Sequence, residues 1–548
     1  MLVENIKVNI GGMEIEVAKG TSLLEISKMF NTKEHRPIIA KVNGTVCELS
    51  LVPNNSDDIE FLDYTNSIAN RVYVSGLILL LNYAFNEMFH GSNVITVKHS
   101  ADKSLCIETS KKITKEDVTN IEKKMLSIVD ANLPITRVAV LKKEAIDYFK
   151  KNNDMSKVHL LEYSTNSYIH LYKIGNMYDY IIGNMPSETS CLNNFKLLLL
   201  DDDELILQFP TIYSDKIKDY VHHEKLFEVF RDAREWGKII HVENSSDLNK
   251  VVSLGYMDHL IRISETLMNN RILDQVKAIR KTNNKIKVIL IAGPSSSGKT
   301  TSCAKLAVYL HSFGLTPKMI SMDNFFKERV DTPRKANGEY DFECLEAVDL
   351  KLFNKTIKDL IDGKKVKMPT FDFYSGEKKF KTEMTLAPTD ILLIEGIHAL
   401  NPKLLPDVDR KFKYKIYLSP LTAVNIDRDN RIYLTDTRLL RRMIRDNRTR
   451  GYNVSETLKL WKDVREGEEK NVFPYQDEAD YVFDTSLIYE FCVLKTYVMP
   501  LLYSVSNDDP NYSEALRLMR VLDIFLPIPS EAIPADSILR EFIGGSCF

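Results

Sequence analysis

The 548-residue sequence has little of what usually decides a protein's class at a glance. Its seven cysteines (Cys47, Cys106, Cys191, Cys303, Cys344, Cys492 and Cys547) are odd in number, widely scattered and never in a CxxC pair. That argues against a disulfide framework or a cysteine-based zinc site and fits a reducing cytoplasm. No run of ~18 apolar residues lacks polar breaks. The nearest, Val72–Phe85, is interrupted by Ser75 and Asn82 and reads as a buried helix, so no membrane is expected as a partner. The first residues include Glu4 and alternate like a strand, unlike a signal peptide. No charge of one sign dominates: 73 Lys+Arg against 76 Asp+Glu gives −3, too balanced for a global pull on nucleic acid or membrane. With 44% hydrophobic and 27% charged residues, the chain is neither largely disordered nor collagen-like. Its length exceeds one core and suits three or four domains of ~100–200 residues.

What is present begins with alternation. IKVNIGGMEIEV (6–17) alternates on both sides of Gly11-Gly12, a hairpin signal. Ser22 then caps the short helix LLEISKMF, with Glu25 at capping-box spacing, and IIAKVNG and IEFLD add strands. Residues 1–63 therefore form a small α+β domain. A helix over 69–89 opens the next unit, 64–212, in which the acidic knot Asp201–Glu204 is a turn between two strands. Residues 213–285 are mostly polar and helical, and read as a helical connector. From Lys287, strand-length apolar runs (VILIAG, KMISMD, ILLIEG, YKIYLS, DYVFDT) alternate with helical segments. That is the pattern of a doubly wound parallel sheet, here spanning 286–505. Residues 506–548, with a proline-rich end and a Gly-Gly, read as an extended arm.

The strongest motif is Gly293-Pro294-Ser295-Ser296-Ser297-Gly298-Lys299-Thr300, followed by Thr301. It matches GxxxxGK[ST], preceded by the strand VILIA and followed by a helix, as a phosphate loop requires. The loop amides and the helix N-terminus address phosphate oxygens. Lys299 reaches the β and γ phosphates of ATP, and the Thr300 hydroxyl suits Mg²⁺. Two carboxylates, Asp323 and Glu395, end strands at the edge where such sheets bind ligand. One suits a Mg²⁺ ligand and the other a base for an acceptor hydroxyl. Residues 428–450 hold eight arginines and no lysine. Arg438, Arg442 and Arg445, and less closely Arg441 and Arg448, share one helical face, as a phosphate-clamping lid would need. An RNA-binding or salt-bridged surface helix is the other reading of that run.

Taken in order, GPSSSGKTT, SMDNFF, GEYDFECLEAVD, MPTFDFYSGEKK, IEGIHAL and TDTRLLRRMIRDNRTRG resemble the uridine kinase/phosphoribulokinase family over about 287–485. The resemblance implies a P-loop NTPase fold using ATP and Mg²⁺. It implies that Asp323 activates a sugar 5′-hydroxyl near Mg²⁺ and that Glu395 is metal-associated. It places Tyr340, Asp341, Phe342 and Glu343 over the ribose and base, and Phe371, Asp372 and Phe373 in the nucleoside pocket. Arg438, Arg442 and Arg445 correspond to lid and substrate arginines. One departure stands out: where uridine–cytidine kinases carry a pyrimidine-contacting His, this chain has Gly376.

Residues 1–63, through AKVNGTVCELS, resemble a TGS domain, a β-grasp module. Residues 64–212 resemble the editing module of threonyl-tRNA synthetase, with MYDYIIGNMPSET in place of its Cys- and His-bearing stretch. The donor side chains are missing: the helix reads RVYVSGLILLL, without HxxxH, and Ile181 stands for the Cys. No metal or editing chemistry is expected there. The first half then reads as a binding or regulatory module, with an RNA or a nucleotide as its ligand and a homo-oligomer left open. The acceptor is a small-molecule alcohol: a nucleoside by preference, or a sugar phosphate or polyol. An RNA-binding regulatory ATPase is the remaining alternative.

Overall fold

The computed structural model describes residues 4–29, 36–282, 285–335, 338–372, 375–421 and 424–548. The expected hairpin forms from β1 (Asn5–Ile10) and β2 (Met13–Ala18), turning at Gly11-Gly12. The helix α1 (Leu23–Ser27) starts at Ser22, whose hydroxyl accepts from the Glu25 N–H while Glu25 returns to the Ser22 N–H. With β3 (Ile39–Val42), β4 (Thr45–Glu48) and β5 (Asp58–Leu62) the sheet order is β2-β1-β5-β3-β4. β1 and β5 run parallel at its centre. Leu23 and Ile26 of α1 pack on the inward side chains Val8, Ile10 and Ile59.

The helix α2 (Ser67–Phe89) follows and is apolar nearly all round, because it is packed on every side. It is long and apolar enough to cross a membrane, but 72% of its apolar window is buried inside the protein. Around it lie β6 (Ile95–Ala101), β7 (Ser104–Thr109), α3 (Lys115–Asp130), β8 (Ile135–Leu141), α4 (Lys142–Lys151) and α5 (Met155–Glu162). β9 (Tyr168–Ile174), β10 (Met177–Asp179), β11 (Lys196–Asp201) and β12 (Glu204–Gln208) complete two antiparallel sheets, β11-β12-β7-β6 and β10-β9-β8. The acidic knot turns between β11 and β12 as expected.

Residues 213–285, read as a helical connector, hold the helices α6 (Glu224–Ile239), α7 (Ser245–Ser253) and α8 (Met257–Arg280). α8 buries Leu260, Ile261, Met268, Ile272, Val276 and Ile279 in the core that also holds strands of the parallel sheet. The spacing of those residues is helical, and most charged residues between them face away, Glu265 being buried where it accepts from Tyr489 and Ser537.

The parallel sheet contains β13 (Val288–Ala292), β14 (Thr316–Ser321), β17 (Asp390–Glu395), β18 (Lys413–Ser419) and β19 (Tyr481–Asp484), in the order β14-β17-β13-β18-β19. Between β14 and β17 come α10 (Leu350–Ile361) and the hairpin β15 (Val366–Asp372)–β16 (Glu377–Met384). α9 (Lys299–Ser312), α11 (Leu434–Arg450), α12 (Val454–Asn471) and α13 (Glu490–Tyr503) are the other long helices. Alternation along β13 sends Ile289 and Ile291 into the core under α8 and α9. Val288, Leu290 and Ala292 enter a second core with Phe353 and Ile357 of α10. The inner strands β13 and β17 are buried on both faces, which explains their unbroken apolar runs, whereas the edge strand β14 leaves Met319 exposed.

The tail is not an extended arm. α14 (Tyr512–Leu522) and the short α15 (Arg540–Ile543) bury Leu518, Leu522 and Phe542 in the first of these cores, and the chain between them adds Phe525, Ile538 and Leu539. A second seam joins the early domains to the parallel-sheet domain. Lys157, 1% exposed, pairs with Asp154, Asp179 and Asp429, and Asn430 donates to the Tyr180 carbonyl and accepts from the Ile182 N–H. The loop 425–430, just before α11, is thereby fastened to the 179–182 segment.

Candidate active site

β13 is the central strand, so the loop that leaves its carboxyl end stands at the middle of the sheet's ligand edge. Gly293 passes so close to β18 that a Cβ there would lie 2.0 Å from the Leu418 carbonyl oxygen, which excludes any other residue. Ser296 takes φ +58, and Gly298, at φ +85, caps α9. Pro294 and Ser297 complete the curl, and the Ser297 carbonyl accepts from the Thr485 hydroxyl at 2.6 Å. Lys299 folds back over the loop, its Nζ 2.9 Å from the Gly293 carbonyl and 3.0 Å from that of Pro294. Burial lowers its pKa, an effect opposed by the charges of Glu395, Glu541, Asp323 and Glu468. Thr300 is exposed toward solvent, while Thr301 is buried.

Asp323 and Glu395 come together as expected. Ser321 pairs with Glu395 across β14 and β17, and Asp323 follows two residues on. Asp323 opens to the crevice, but the surrounding walls and the Glu395 charge push its carboxyl up to about 6, against the pull of Lys299 and Arg450. Glu343 rises to about 7 through burial and the charges of Glu468 and Asp323, opposed by Arg442 and Lys299. A negative pocket facing the Lys299 ammonium suits a divalent cation. Thr300, Asp323 and Glu395 are the donors such an ion would use. Among the described residues no three His, Cys, Asp or Glu side chains form a metal-holding group. Mg²⁺ bound with a nucleotide needs fewer, because water and phosphate oxygens fill the rest of its shell.

The arginines divide the work differently from the expected row of phosphate contacts. Arg438 is buried in a bidentate pair with Glu468, at 2.5 and 2.9 Å, and also donates to the Ser295 carbonyl. Glu468 accepts the Ser295 N–H at 2.8 Å, so this pair braces the loop and Arg438 is not presented to a ligand. Arg441 is fully buried against Glu490 and the Thr485 carbonyl. Arg442 donates to the Ser295 hydroxyl at 2.9 Å. Arg442, Arg445 and Arg450 all contact Asp446, three guanidiniums on one carboxylate, leaving net positive charge beside the loop. Glu468 was not among the residues expected from sequence. It lies in the acidic run EGEEK, and nothing local sets it apart from solvated neighbours.

Across the crevice, Phe326 stacks edge-on with both Phe342 and Phe371, and Tyr340 lies 6.0 Å from Phe342. These rings form an apolar wall leading to Glu343. The Tyr340 hydroxyl accepts from Arg334, and Asp341 turns back to accept the Glu343 N–H. Asp372, at the tip of the β15–β16 hairpin, accepts from Lys379 at 3.4 Å and from the Ser375 N–H. Phe373 lies outside the described residues. Gly376 has φ +73, and a Cβ there would sit 2.8 Å from the Arg329 Cβ. The turn therefore needs glycine, and the space beside it is filled by Arg329.

Residues 288–487 match the profile of the Phosphoribulokinase / Uridine kinase family. Among curated relatives, a uridine kinase from Staphylococcus epidermidis is 30% identical over 200 residues, 36% of this chain and 87% of that protein. Uridine-cytidine kinase 2-B of Danio rerio is 29% identical over 203 residues, 36% of this chain and 71% of that protein. Of solved structures, one described as a possible uridine kinase from Bacillus stearothermophilus is 21% identical. It overlaps 38% of this chain and 98% of its own, with a TM-score of 0.26.

Proposed function

The chain belongs, through residues 288–487, to the Phosphoribulokinase / Uridine kinase family, and from that premise we propose that it is an ATP-dependent kinase phosphorylating the 5′-hydroxyl of a nucleoside. The observation that carries the reading is the convergence of Asp323 and Glu395 on the Lys299 ammonium. An acceptor hydroxyl placed beside Asp323 gives its proton to that carboxylate as its oxygen bonds to the γ-phosphorus, and ADP departs. Lys299 balances the charge that grows on the phosphate oxygens, and the Arg442–Arg445–Arg450 cluster adds positive potential from the lid side. Mg²⁺, held through Thr300 with Asp323 and Glu395, would neutralise charge shared by the β and γ phosphates. Glu343, flanked by aromatic rings, suits a ribose diol, and Tyr340, Phe342 and Phe371 suit the base.

Gly376 and Arg329 favour a second reading of the acceptor. A pyrimidine-reading imidazole has no room at that turn, and a guanidinium stands next to it. A sugar phosphate or polyol fits that chemistry. We read residues 1–63 and 64–212 as a TGS-like β-grasp domain and an editing-like module that binds or regulates. The strand order of the first and the buried, apolar Ile181 in the second support this. Phosphate transfer from ATP, assayed across nucleosides, sugars and sugar phosphates, tests the proposal. Turnover of uridine or cytidine that vanishes in Lys299→Ala supports it, and turnover of sugar phosphates alone favours the second reading. No Lys299-dependent transfer to any acceptor rejects both.

A further inference from the structure

The C-terminal tail reaches the phosphate loop. The Glu541 carboxylate accepts the Thr301 N–H at 3.2 Å and the Thr301 hydroxyl at 3.0 Å with the same oxygen. Around it the tail is fixed by buried contacts. Asp536 pairs with Lys305 of α9 at 3.0 Å, and Ser537 donates to the buried Glu265. Ile538 lies so near the loop that a Cβ on Gly298 would come within 2.5 Å of its Cγ2. From the lid helix α11, Arg448 donates to the Glu541 and Phe542 carbonyls.

The position matters because of how such loops divide a triphosphate. The Lys serves the β and γ phosphates and the adjacent Thr serves the metal, while loop and helix amides cradle the α and β groups. Thr301 is one residue beyond Thr300, so its amide is among those left for the α and β groups once Lys299 and Thr300 have taken their parts. Its amide is at the positive end of α9, where an anion is most stabilised. In this chain that anion is a carboxylate supplied by the tail. The Glu541 backbone is pinned, but its side chain is only half-buried, so it can swing away without unfolding the tail.

We propose that Glu541 occupies the place of the donor's α-phosphate, so that donor binding must displace its side chain and Glu541 sets the affinity for the nucleotide. The inference rests on the ATP-donor reading above. Because Arg448 ties the same residue to the lid helix, donor entry and lid position are mechanically linked.

Calorimetric titration of full-length protein with Mg·ATP tests this, using wild type, Glu541→Gln, Glu541→Lys and Lys299→Ala. Removing a like charge from the α-phosphate position should tighten binding about tenfold in Glu541→Gln. Glu541→Lys should bind tighter still. A merely structural role for the tail would not produce that ordering by charge. Equal or weaker binding in both Glu541 variants, with Lys299-dependent binding intact in wild type, would overturn the inference while leaving the kinase reading standing. Absence of Mg·ATP binding in wild type and in both Glu541 variants would overturn the donor reading and the inference together.

Discussion

In the proposed reaction Lys299 and Asp323 have different roles, and their substitutions separate them. Lys299→Ala removes the loop's ammonium, which no neighbouring side chain replaces, so phosphoryl transfer should fall below detection in a steady-state assay. Asp323→Asn keeps the shape but cannot take a proton; kcat should fall about a hundredfold or more, with ATP affinity changed far less. The acid side of the pH profile carries a second signature. As the proposed base Asp323 must be ionised, and its carboxyl sits up at about 6. In the free enzyme kcat/KM should therefore decline as pH falls through about 6. Glu395→Gln removes a charge that raises this carboxyl, so the decline should move to lower pH in the residual activity. A limb left in place by that substitution would assign it to another group. Stability has its own titrating residue. His398 is buried, and its pKa is held down to about 4 by loss of hydration. A histidine kept neutral by the fold stabilises above its ordinary value of ~6.5, and that contribution is lost as pH drops from there toward 4, by up to about 1.4 kcal/mol per pH unit. Urea midpoints for His398→Phe should show a flatter dependence over that window than wild type.

At the scale of elements, the strand–loop–helix unit around 288–312 was legible in the sequence because each of its signals is local. Apolar alternation, glycines at the turn and a helix-forming run all lie within about 25 residues. The brace on the loop was not legible. Glu468 lies 30 residues from Arg438 and 173 from Ser295, and only folding brings them together. Glu468→Gln leaves Arg438 buried with its charge uncompensated, which should cost about 3–5 kcal/mol in denaturant unfolding and loosen the loop. The same limit applies to Gly376. The sequence shows that an imidazole is missing, but the reason, a left-handed turn backed by Arg329, is conformational. Gly376→His should therefore destabilise the hairpin tip and confer no preference for pyrimidines, as competition between uridine and other acceptors would show.

Over the whole molecule, the two segments whose packing was not legible share one cause. Residues 213–285 are rich in polar residues, and residues 506–548 mix their apolar side chains with prolines and a Gly-Gly; in both, the apolar stripes acquire meaning only against a sheet elsewhere in the chain. Five α8 side chains (Ile261, Met268, Ile272, Val276 and Ile279) are nearly inaccessible. At about 1.5–3 kcal/mol each, their burial is comparable to the entire net stability of a domain, ~5–15 kcal/mol. A chain beginning at residue 280 should thus fail to unfold cooperatively, whereas one beginning at 213 retains these helices. The Lys157 cluster gives the corresponding test of the seam between the early domains and the lid root. Burial raises the Asp179 carboxyl to about 6 and that of Asp427 to about 7, even with Lys157 opposing. Lys157→Met removes that opposition, so the protein should lose several kcal/mol of stability. The loss should be larger at pH 8 than at pH 6, because carboxyls whose folded pKa is raised destabilise the fold as they are forced to ionise.

The central claim is that Asp323, at the phosphate loop, takes the proton of the acceptor hydroxyl. Single-turnover transfer from γ-labelled ATP to uridine, compared between Asp323→Asn and Asp372→Asn, tests it most directly. The account predicts that Asp323→Asn stalls the chemical step while Asp372→Asn, at the exposed hairpin tip, retains it. A stalled step in Asp372→Asn alone, with Asp323→Asn only raising the Mg²⁺ requirement, would contradict it.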